Sequence, residues 1–209
     1  MTSRRRQEKH DREASILDAA EQVFFSKGYE RCSMDDIART AGISRGLVYV
    51  YFKDKAAIMR GVALRAGEAL ADQFQQALDD GESGLGQIEN IGRAYYHFSH
   101  AQPDYFDVLT QTEGLINPDD ADEQCAALLE RSSRIMQLLV QALAGGIEDG
   151  SVCATRVQHP LTTAYYLRGA MHGVIMQCRH IDALSLPEHP ASEALIDYTL
   201  NMLSRSIRP

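Results

Sequence analysis

Apolar residues recur at spacings of three and four along nearly the whole chain, which is the period of an amphipathic α-helix. The first such segment spans residues 11–27, with Ile16, Ala20 and Phe24 on one face. Gly28 follows it directly and predicts its end. No stretch shows the strict alternation that is typical of a β-strand. The pattern therefore predicts an all-α protein.

Two short amphipathic segments come next, joined by a tight turn. Ser33 and Asp36 have the spacing of a capping box and predict the start of a second helix, which Gly42 ends. Ser44 then caps a third helix, whose Val48 faces inward. Two short helices joined by a glycine-containing turn describe a helix-turn-helix, although similar corners occur in proteins that do not bind DNA.

The remaining pattern predicts six more helices, about nine in all. Three of them are apolar-periodic segments, over residues 54–79, from Leu85 to Phe98 and over residues 191–207. The other three begin at proline signals, namely Pro103, Asn117-Pro118 and His159-Pro160, and the second of these ends at Gly150. The fourth helix is shared by both halves of the chain. We therefore predict a helix-turn-helix domain over residues 1–56 and a helical bundle over residues 57–209.

Composition narrows the class of protein. With 44% apolar and 24% charged residues, the chain is neither collagen-like nor disordered. No apolar run approaches the roughly 18–20 residues of a membrane span, and the charged N-terminus lacks the apolar core of a secretory signal. We expect a cytoplasmic protein without a membrane partner, whose four scattered cysteines are reduced thiols.

The charge is unevenly distributed. The net charge of −8 argues at first against a nucleic-acid partner. Residues 1–55, however, carry 11 Lys and Arg against 9 Asp and Glu, whereas residues 56–209 carry 10 against 20. A mildly basic N-terminal quarter, with Arg4, Arg5 and Arg6 near its tip, therefore precedes an acidic body, and DNA remains a possible partner of that quarter.

Side chains of the third predicted helix have the chemistry that DNA recognition needs. Arg45 lies in its first turn, where a guanidinium reaches base edges in a major groove. Tyr49 and Tyr51 point away from the inward face, and a phenol can donate to a phosphate. Lys55 lies at the start of the next helix, where its ammonium and free backbone N–H groups suit an anion.

The stretch from Ile16 to Met59 resembles the N-terminal domain of the tetracycline-repressor (TetR) family. The matching landmarks, in order, are AA-x-x-x-F at 19–24, KGY at 27–29, IA-x-x-AG-I-S at 37–44 and LVY-x-YF-x-x-K at 47–55. Beyond about residue 60 the chain matches only in its helical architecture. The resemblance implies a homodimeric transcriptional regulator with a ligand-binding C-terminal domain and a double-stranded DNA operator.

Position by position, the resemblance implies a set of DNA-facing residues. They are Ser33, Ser44, Arg45, Gly46, Leu47, Tyr49, Val50, Tyr51 and Lys55. Ser33 and Lys55 would direct helix starts toward phosphates, the two tyrosines would grip the backbone, and Arg45 would read guanine.

The sequence departs from the family pattern in two places. Asp35 and Asp36 are carboxylates near phosphate, where many members carry uncharged or basic residues. Asp36 would serve in capping, whereas Asp35 would accept from a cytosine amine or, as we favour, point to solvent. Val50 replaces a larger residue and could contact a thymine methyl group. The segment Arg4–Arg6 is either a solvated tail or an arm that enters the minor groove.

The resemblance also implies a largely apolar effector cavity in the second domain, although these side chains could equally be ordinary core. The candidate liners are Tyr96, Phe106, Leu109, Met136, Leu139, Tyr165 and Met171, and the candidate polar anchors are Arg93, Gln111, Arg168 and His172. The acidic charge of this half disfavours a strongly anionic effector.

The last two predicted helices carry the dimer hypothesis. Gly169, Ala170 and Gly173 are small residues about one turn apart, which let two helices approach closely. With residues 191–207 they resemble the pair of helices that forms a four-helix interface between two copies. The alternative is close packing within one chain.

The hypotheses of a metal site and of an enzyme have less support. His97 with His100, and Cys178 with His180, lack a third ligand at metal-binding spacing, and no nucleophile elbow, P-loop or dinucleotide fingerprint is present. We therefore predict no metal, no cofactor and no enzyme activity.

The function that we predict is a homodimeric repressor released from a palindromic operator by a small-molecule effector of unknown identity. The alternative is a helix-turn-helix regulator that is constitutive or controlled by a protein partner. A non-DNA helical adaptor or a bundle enzyme ranks lower. A sizeable enclosed cavity in the second domain would favour control by a small-molecule effector over these alternatives.

Overall fold

A computed structural model describes residues 3–111, 123–184 and 189–209. Within these ranges the chain forms helices and no strand. The helices are α1 (Ser3–Lys27), α2 (Met34–Thr40), α3 (Arg45–Tyr51), α4 (Lys55–Asp79), α5 (Gly84–Ala101), α6 (Pro103–Gln111), α7 (Glu123–Glu148), α8 (Pro160–Leu184) and α9 (Ser192–Ile207). The all-α fold with an N-terminal helix-turn-helix is confirmed. Across the described residues, no helix has the length and apolar character needed to cross a membrane.

The chain divides into two compact units. The first comprises Met1–Ala66 and Asp107–Leu129, and the second comprises Gly67–Phe106 and Glu130–Pro209. Their division falls inside α4, which is one continuous helix. The domain boundary predicted at residue 56 lies near the start of this same helix and stays a prediction.

The core of the first unit forms where α1 packs on α2 and α2 on α3. Ile16, Ile37 and Val48, one from each helix, have no exposed surface. Positive φ angles of 80° at Gly28 and 66° at Gly42 allow the chain to turn after α1 and after α2. These turns and this core fix which face of α3 remains outside.

The start of α1 differs from the prediction. The helix begins at Ser3 rather than at residue 11, and the difference has a local cause. Polar residues with good helix propensity fill the extra turns, and side-chain pairs four residues apart, such as Arg4 with Glu8 at 2.9 Å and Lys9 with Glu13 at 3.4 Å, support them. Arg4–Arg6 are therefore part of a helix and not of an extended arm.

The second unit is a bundle in which α8 packs on α9 and α5 packs on both. Its fully buried side chains include Phe98 of α5, Leu143 of α7, Ile175 of α8 and Ile196 of α9. The stripe predicted on α5 is largely buried, as its period implied. The helix start predicted at Asn117-Pro118 lies outside the described residues.

Helices α5 and α7 meet at a pair of glycines. An added Cβ at Gly84 would overlap the backbone of Gly146 and the carbonyl oxygen of Ala142. Nearby, the Gly84 N–H donates to Asp149 Oδ2 at 2.7 Å, and the Leu85 N–H donates to Ser151 Oγ at 3.1 Å. The start of α5 is thus held against the end of α7 at a distance that leaves no room for a side chain.

We expect Gly84→Ala to lower the free energy of unfolding by roughly 1–3 kcal/mol, because backbone must shift to admit the methyl group. Gly86→Ala is the matched control, since its Cβ would meet only Ser83 Oγ, at 3.4 Å. Alanine is the better helix former, so the control should be neutral or slightly stabilised. Urea denaturation measures both, and equal midpoints would contradict the close packing.

Candidate nucleic-acid interface and effector cavity

Two side-chain caps set the starts of α2 and α3. Ser33 Oγ accepts from the Asp36 N–H at 3.2 Å, while Asp36 Oδ2 accepts from the Ser33 N–H at 3.1 Å, which completes the capping box. Ser44 Oγ accepts from the Leu47 N–H at 3.2 Å. Both serines therefore have the capping roles that their spacing predicts.

The Asp36 carboxylate does more than cap. Lys27 Nζ and Arg39 Nη2 both reach Asp36 Oδ1 at 2.9 Å. The hydrogen bonds from Lys27 and Ser33 hold the pKa of Asp36 far below its usual range. This carboxylate is ionised and fully engaged, and it joins the end of α1 to the start of α2.

The outer face of α3 carries the predicted DNA-facing residues. Val50 is 73% exposed and Tyr49 is 43% exposed, whereas Val48 behind them is fully buried. Ser33, Ser44, Arg45 and Gly46 are also exposed, and Leu47, Tyr51 and Lys55 are half-buried. The sequence thus separates the two faces of α3 correctly, but Tyr51 is less open than Tyr49.

Arg45 is held by two neighbours. Its Nη1 pairs with Asp35 Oδ2 of α2 at 3.0 Å, and its Nη2 donates to Tyr49 Oη at 3.3 Å. The Tyr49 hydrogen bond and the Asp35 charge raise the pKa of Arg45 above its ordinary value. Of the two roles considered for Asp35, neither anticipated this pairing: the carboxylate is exposed, as favoured, but it binds Arg45 rather than pointing freely to solvent.

Lys55 lies in a different environment from the one predicted. Its ammonium donates to the carbonyl oxygens of Tyr29 at 2.7 Å and Cys32 at 3.0 Å, with Glu30 O at 3.4 Å, and it lies 4.3 Å from the centre of the Tyr29 ring. Burial raises the pKa of Tyr29. Lys55 therefore holds the connection between α1 and α2, and its predicted phosphate contact stays a prediction.

The second unit contains a cavity of about 40 Å³. Its walls come from α4, α5, α7, α8 and α9, and the lining residues are apolar apart from Arg168 and Tyr95. The lining residues are Phe74, Ile88, Ile91, Gly92, Tyr95, Ile135, Met136, Leu139, Leu167, Arg168, Met171 and Leu200. Ligand pockets commonly measure roughly 300–1,000 Å³, so this cavity would have to widen to take an effector.

The predicted ligand residues fall into several groups. Four line the cavity: Met136, Leu139, Arg168 and Met171. Phe106 and His172 contact Tyr95, which lines the cavity. Arg93 and Tyr165 are exposed on the surface, and Arg93 pairs with Asp197 at 2.6 Å. Half-buried Tyr96 packs on His100. Leu109 and Gln111 belong to the first unit.

Tyr95 lines the cavity and was not among the predicted ligand residues. Its hydroxyl lies 2.8 Å from His172 Nδ1, and the Phe106 ring packs against both rings, with centroids at 5.6 and 5.9 Å. A hydroxyl in an otherwise apolar stripe is the sequence signal that could have indicated it. In the described part of the chain, no three His, Cys, Asp or Glu side chains are grouped to hold a metal ion.

Three helices whose last two form a capped helix-turn-helix, with arginine and tyrosine on the outer face, have the architecture of a DNA-binding transcriptional regulator. Residues 16–62 match the family "Bacterial regulatory proteins, tetR family", and residues 88–203 match "Tetracyclin repressor-like, C-terminal domain". The chain belongs to the tetracycline-repressor family.

Relatives and solved structures agree with this assignment. The HTH-type transcriptional regulator YfiR of Bacillus subtilis is 27% identical, over 85% of this chain and 84% of its own. The fold is similar to that of PfmR from Thermus thermophilus (TM-score 0.65, 21% identity, 91% and 97% of the two chains). It is also similar to FadR from Bacillus subtilis, solved with stearoyl-CoA (0.70, 18%, 93% and 99%). All three are transcriptional regulators.

We expect Lys55→Met to lower the free energy of unfolding by roughly 1–3 kcal/mol, because the carbonyl oxygens between α1 and α2 lose a charged donor. Lys9→Met is the matched control, since Lys9 is exposed and, within the described residues, its ion pair is a 3.4 Å surface contact with Glu13. Denaturant unfolding measures the difference.

The salt dependence of DNA binding distinguishes this role from the one that the sequence predicted. If Lys55 is structural, the slope of log affinity against log salt concentration stays unchanged in Lys55→Met. A slope flatter by about one unit would instead indicate a lost phosphate contact.

Proposed function

We propose that this regulator is a homodimeric repressor whose operator affinity falls when a small molecule binds in its second unit. The observation that carries its DNA contact is the outer face of α3, where Arg45, Tyr49 and Val50 are exposed beside two capped helix starts. Because it would act on chromosomal operator DNA, we expect it to work in the cytoplasm.

On DNA, the outer face of α3 would lie in the major groove. Arg45 would donate to guanine, Val50 would contact a thymine methyl group, and Tyr49 would bind the backbone. Tyr51 is half-buried and would reach phosphate only at the edge of this face. Ser33 and Ser44 would bring the helix starts close to phosphates, with Gly46 and Leu47 lining the approach.

The exposed apolar side chains of α8 and α9 support the dimer. Tyr165 and Tyr166 of α8 are 58% and 55% exposed, and Tyr198 of α9 is 65% exposed. Among the residues that the structure describes, an added Cβ at Gly169 or Gly173 would meet nothing within 4 Å, so α8 has open backbone positions on its outer side. Large apolar surface on two adjacent helices is typical of an interface between copies.

Two helix-turn-helix domains are also a functional requirement, because a single one makes few base contacts. A two-fold symmetric dimer would place its recognition helices in successive major grooves, about one DNA turn apart, and would prefer a palindromic site. Regulators of this family bind DNA as dimers. The α8 and α9 faces are the surfaces that we propose for this contact.

The effector would bind in the cavity of the second unit. Met136 and Met171 line it, and the flexible thioether chain of methionine adapts to added volume. Arg168 supplies an anchor: its Nη1 lies 3.8 Å from Met136 Sδ, and it pairs with no carboxylate in the described residues.

A guanidinium beside an apolar cavity suits a long apolar molecule that ends in an anionic group. The acidic average charge of this half disfavours such a ligand at long range, but the local cation dominates at contact distance. The structurally similar FadR was solved with stearoyl-CoA, which has this combination of apolar chain and anionic head.

Repression would be relieved by a shift between two arrangements of the dimer. Helix α4 belongs to both units, so a ligand that moves the second half of this helix would also move its first half, which belongs to the DNA-binding unit. The effector can shift the balance only by its differential affinity for the two arrangements. By linkage, operator binding would weaken effector binding by the same factor.

The second candidate is a regulator that is constitutive or answers to a protein partner. The observation that favours it is the 40 Å³ cavity, which is too small for an effector without rearrangement. The two candidates differ in whether a small molecule changes operator affinity.

We expect Tyr198→Glu to convert the dimer to a monomer and to weaken operator binding at least tenfold, because a carboxylate would be buried at the interface. Sedimentation measures the oligomeric state. Fluorescence anisotropy on DNA from upstream of the gene, against scrambled DNA, measures binding.

Leu129→Glu is the control, since Leu129 is an exposed apolar residue of α7, outside the proposed interface. It should leave the dimer intact. A Tyr198→Glu protein that stays dimeric would exclude this face as the interface. The operator hypothesis would be contradicted if the unaltered protein bound both DNAs equally and random-sequence selection then found no preferred site.

We expect a long-chain fatty acid to raise the thermal midpoint and lower operator affinity, and the fatty alcohol of equal length to act more weakly. Arg168→Gln should reduce the affinity for the acid about tenfold, because a charge-assisted hydrogen bond is lost. Arg93→Gln is the matched control, since Arg93 lies on the surface with Asp197. If neither compound changes operator affinity in the unaltered protein, the second candidate is favoured.

A further inference from the structure

We infer that Asp35 and Arg45 act together as one recognition unit that reads both bases of a single G·C pair. The inference rests on the proposed role of α3 in the major groove and adds a specificity-determining residue from α2. The observation that carries it is the ion pair between Asp35 Oδ2 and Arg45 Nη1 at 3.0 Å, on the exposed side of the helix-turn-helix.

Both side chains are available to DNA. Arg45 is 56% exposed and Asp35 is 57% exposed, so their contact leaves much of each group open. Tyr49 fixes the other side of the guanidinium by accepting from Nη2 at 3.3 Å, with its ring centre 5.5 Å from Arg45 Cζ. The guanidinium is therefore held in one orientation before DNA arrives, which lowers the entropy cost of binding.

Asp35 lies in the first turn of α2 but takes no part in its capping box. The adjacent Asp36 fills the capping box and pairs with Lys27 and Arg39. Asp35 instead directs its carboxylate toward Arg45 on the next helix. The ion pair uses one carboxylate oxygen of Asp35, and on a surface that meets phosphates the rest of this carboxylate is favourable only where it accepts from a DNA donor.

The pair matches one base-pair edge. In the major groove a G·C pair presents guanine N7 and O6 as acceptors, followed by cytosine N4 as a donor. The guanidinium offers donors, and the adjoining carboxylate offers an acceptor, in the complementary order. An A·T pair would place the adenine N6 donor against the guanidinium, and a reversed C·G pair would place the cytosine amine there.

The consequence is a preference for G·C in one orientation at one position of each half-site. Arg45 alone would recognise guanine. With Asp35 bound to it, the same unit also reaches the cytosine on the opposite strand. Loss of either residue should therefore relax the same base pair.

The test is selection of bound sequences from a random DNA library with the full-length protein. The unaltered protein, Asp35→Ala, Arg45→Ala and the double variant are compared by sequencing. We expect both single variants to reduce the preference for one oriented G·C pair by about tenfold, and the double variant to lose little more than Arg45→Ala, since the residues act as a unit. Thermal unfolding verifies that each variant is folded.

Glu30→Ala is the matched control, because it removes one exposed negative charge from the same unit without touching Arg45. It should strengthen binding to all sequences slightly and leave base preference unchanged. If Asp35→Ala behaves like Glu30→Ala, Asp35 is only a repulsive charge and the inference is overturned.

Two other results would also overturn it. Relaxation by Asp35→Ala at a different base pair from Arg45→Ala would mean two separate contacts. Selection of no preferred sequence by the unaltered protein would reject the operator role of α3 together with the inference. Specific binding whose preferred site is insensitive to both substitutions rejects the inference alone, so the two failures are distinguishable.

Discussion

The orientation of α3 depends on how α2 begins, and one carboxylate fixes that beginning. Asp36 caps the Ser33 N–H, accepts from Lys27 at the end of α1 and pairs with Arg39 within α2. It is ionised because its donors favour the charged form. Since folding lowers its pKa, the stability that it contributes is present above the ordinary carboxyl range near pH 4 and is lost as the pH falls below it.

A second interaction stabilises the same region as the Asp36 contacts. Lys55, at the start of α4, binds carbonyl oxygens of the segment between α1 and α2. Lys55 thus holds this connection through backbone carbonyl oxygens, which any sequence would supply. The side chains between Tyr29 and Cys32 are therefore less constrained than the path of the chain through them.

Local features were predictable from the sequence, whereas contacts that depend on interhelical angles were not. The Ser33 cap follows from a three-residue spacing, and the buried face of α3 follows from helical periodicity. The Asp35–Arg45 pair joins residues ten positions apart on two helices, so it depends on the angle of the turn at Gly42. Lys55 was placed correctly in its helix, but its carbonyl partners depend on the path of a loop.

The effector site illustrates the same limit. Met136, predicted as a liner, and Arg168, predicted as a polar anchor, both line the cavity, whereas Arg93, another predicted anchor, lies at the surface. Periodicity could have excluded Arg93, because it is two residues from buried Ile91 and therefore points to another side of α5. The small volume could not be predicted, since it reflects how side chains from five helices interdigitate.

The exposure of Val50 has a consequence for how such a regulator can change. Its side chain is 73% exposed, and the buried contacts of α3 are made by Val48 on the opposite face. A mutation at position 50 therefore alters what the helix presents to a groove while removing little buried surface. Divergence of a duplicated copy, or laboratory evolution toward a new DNA sequence, can proceed at this site without a compensating change elsewhere in the fold.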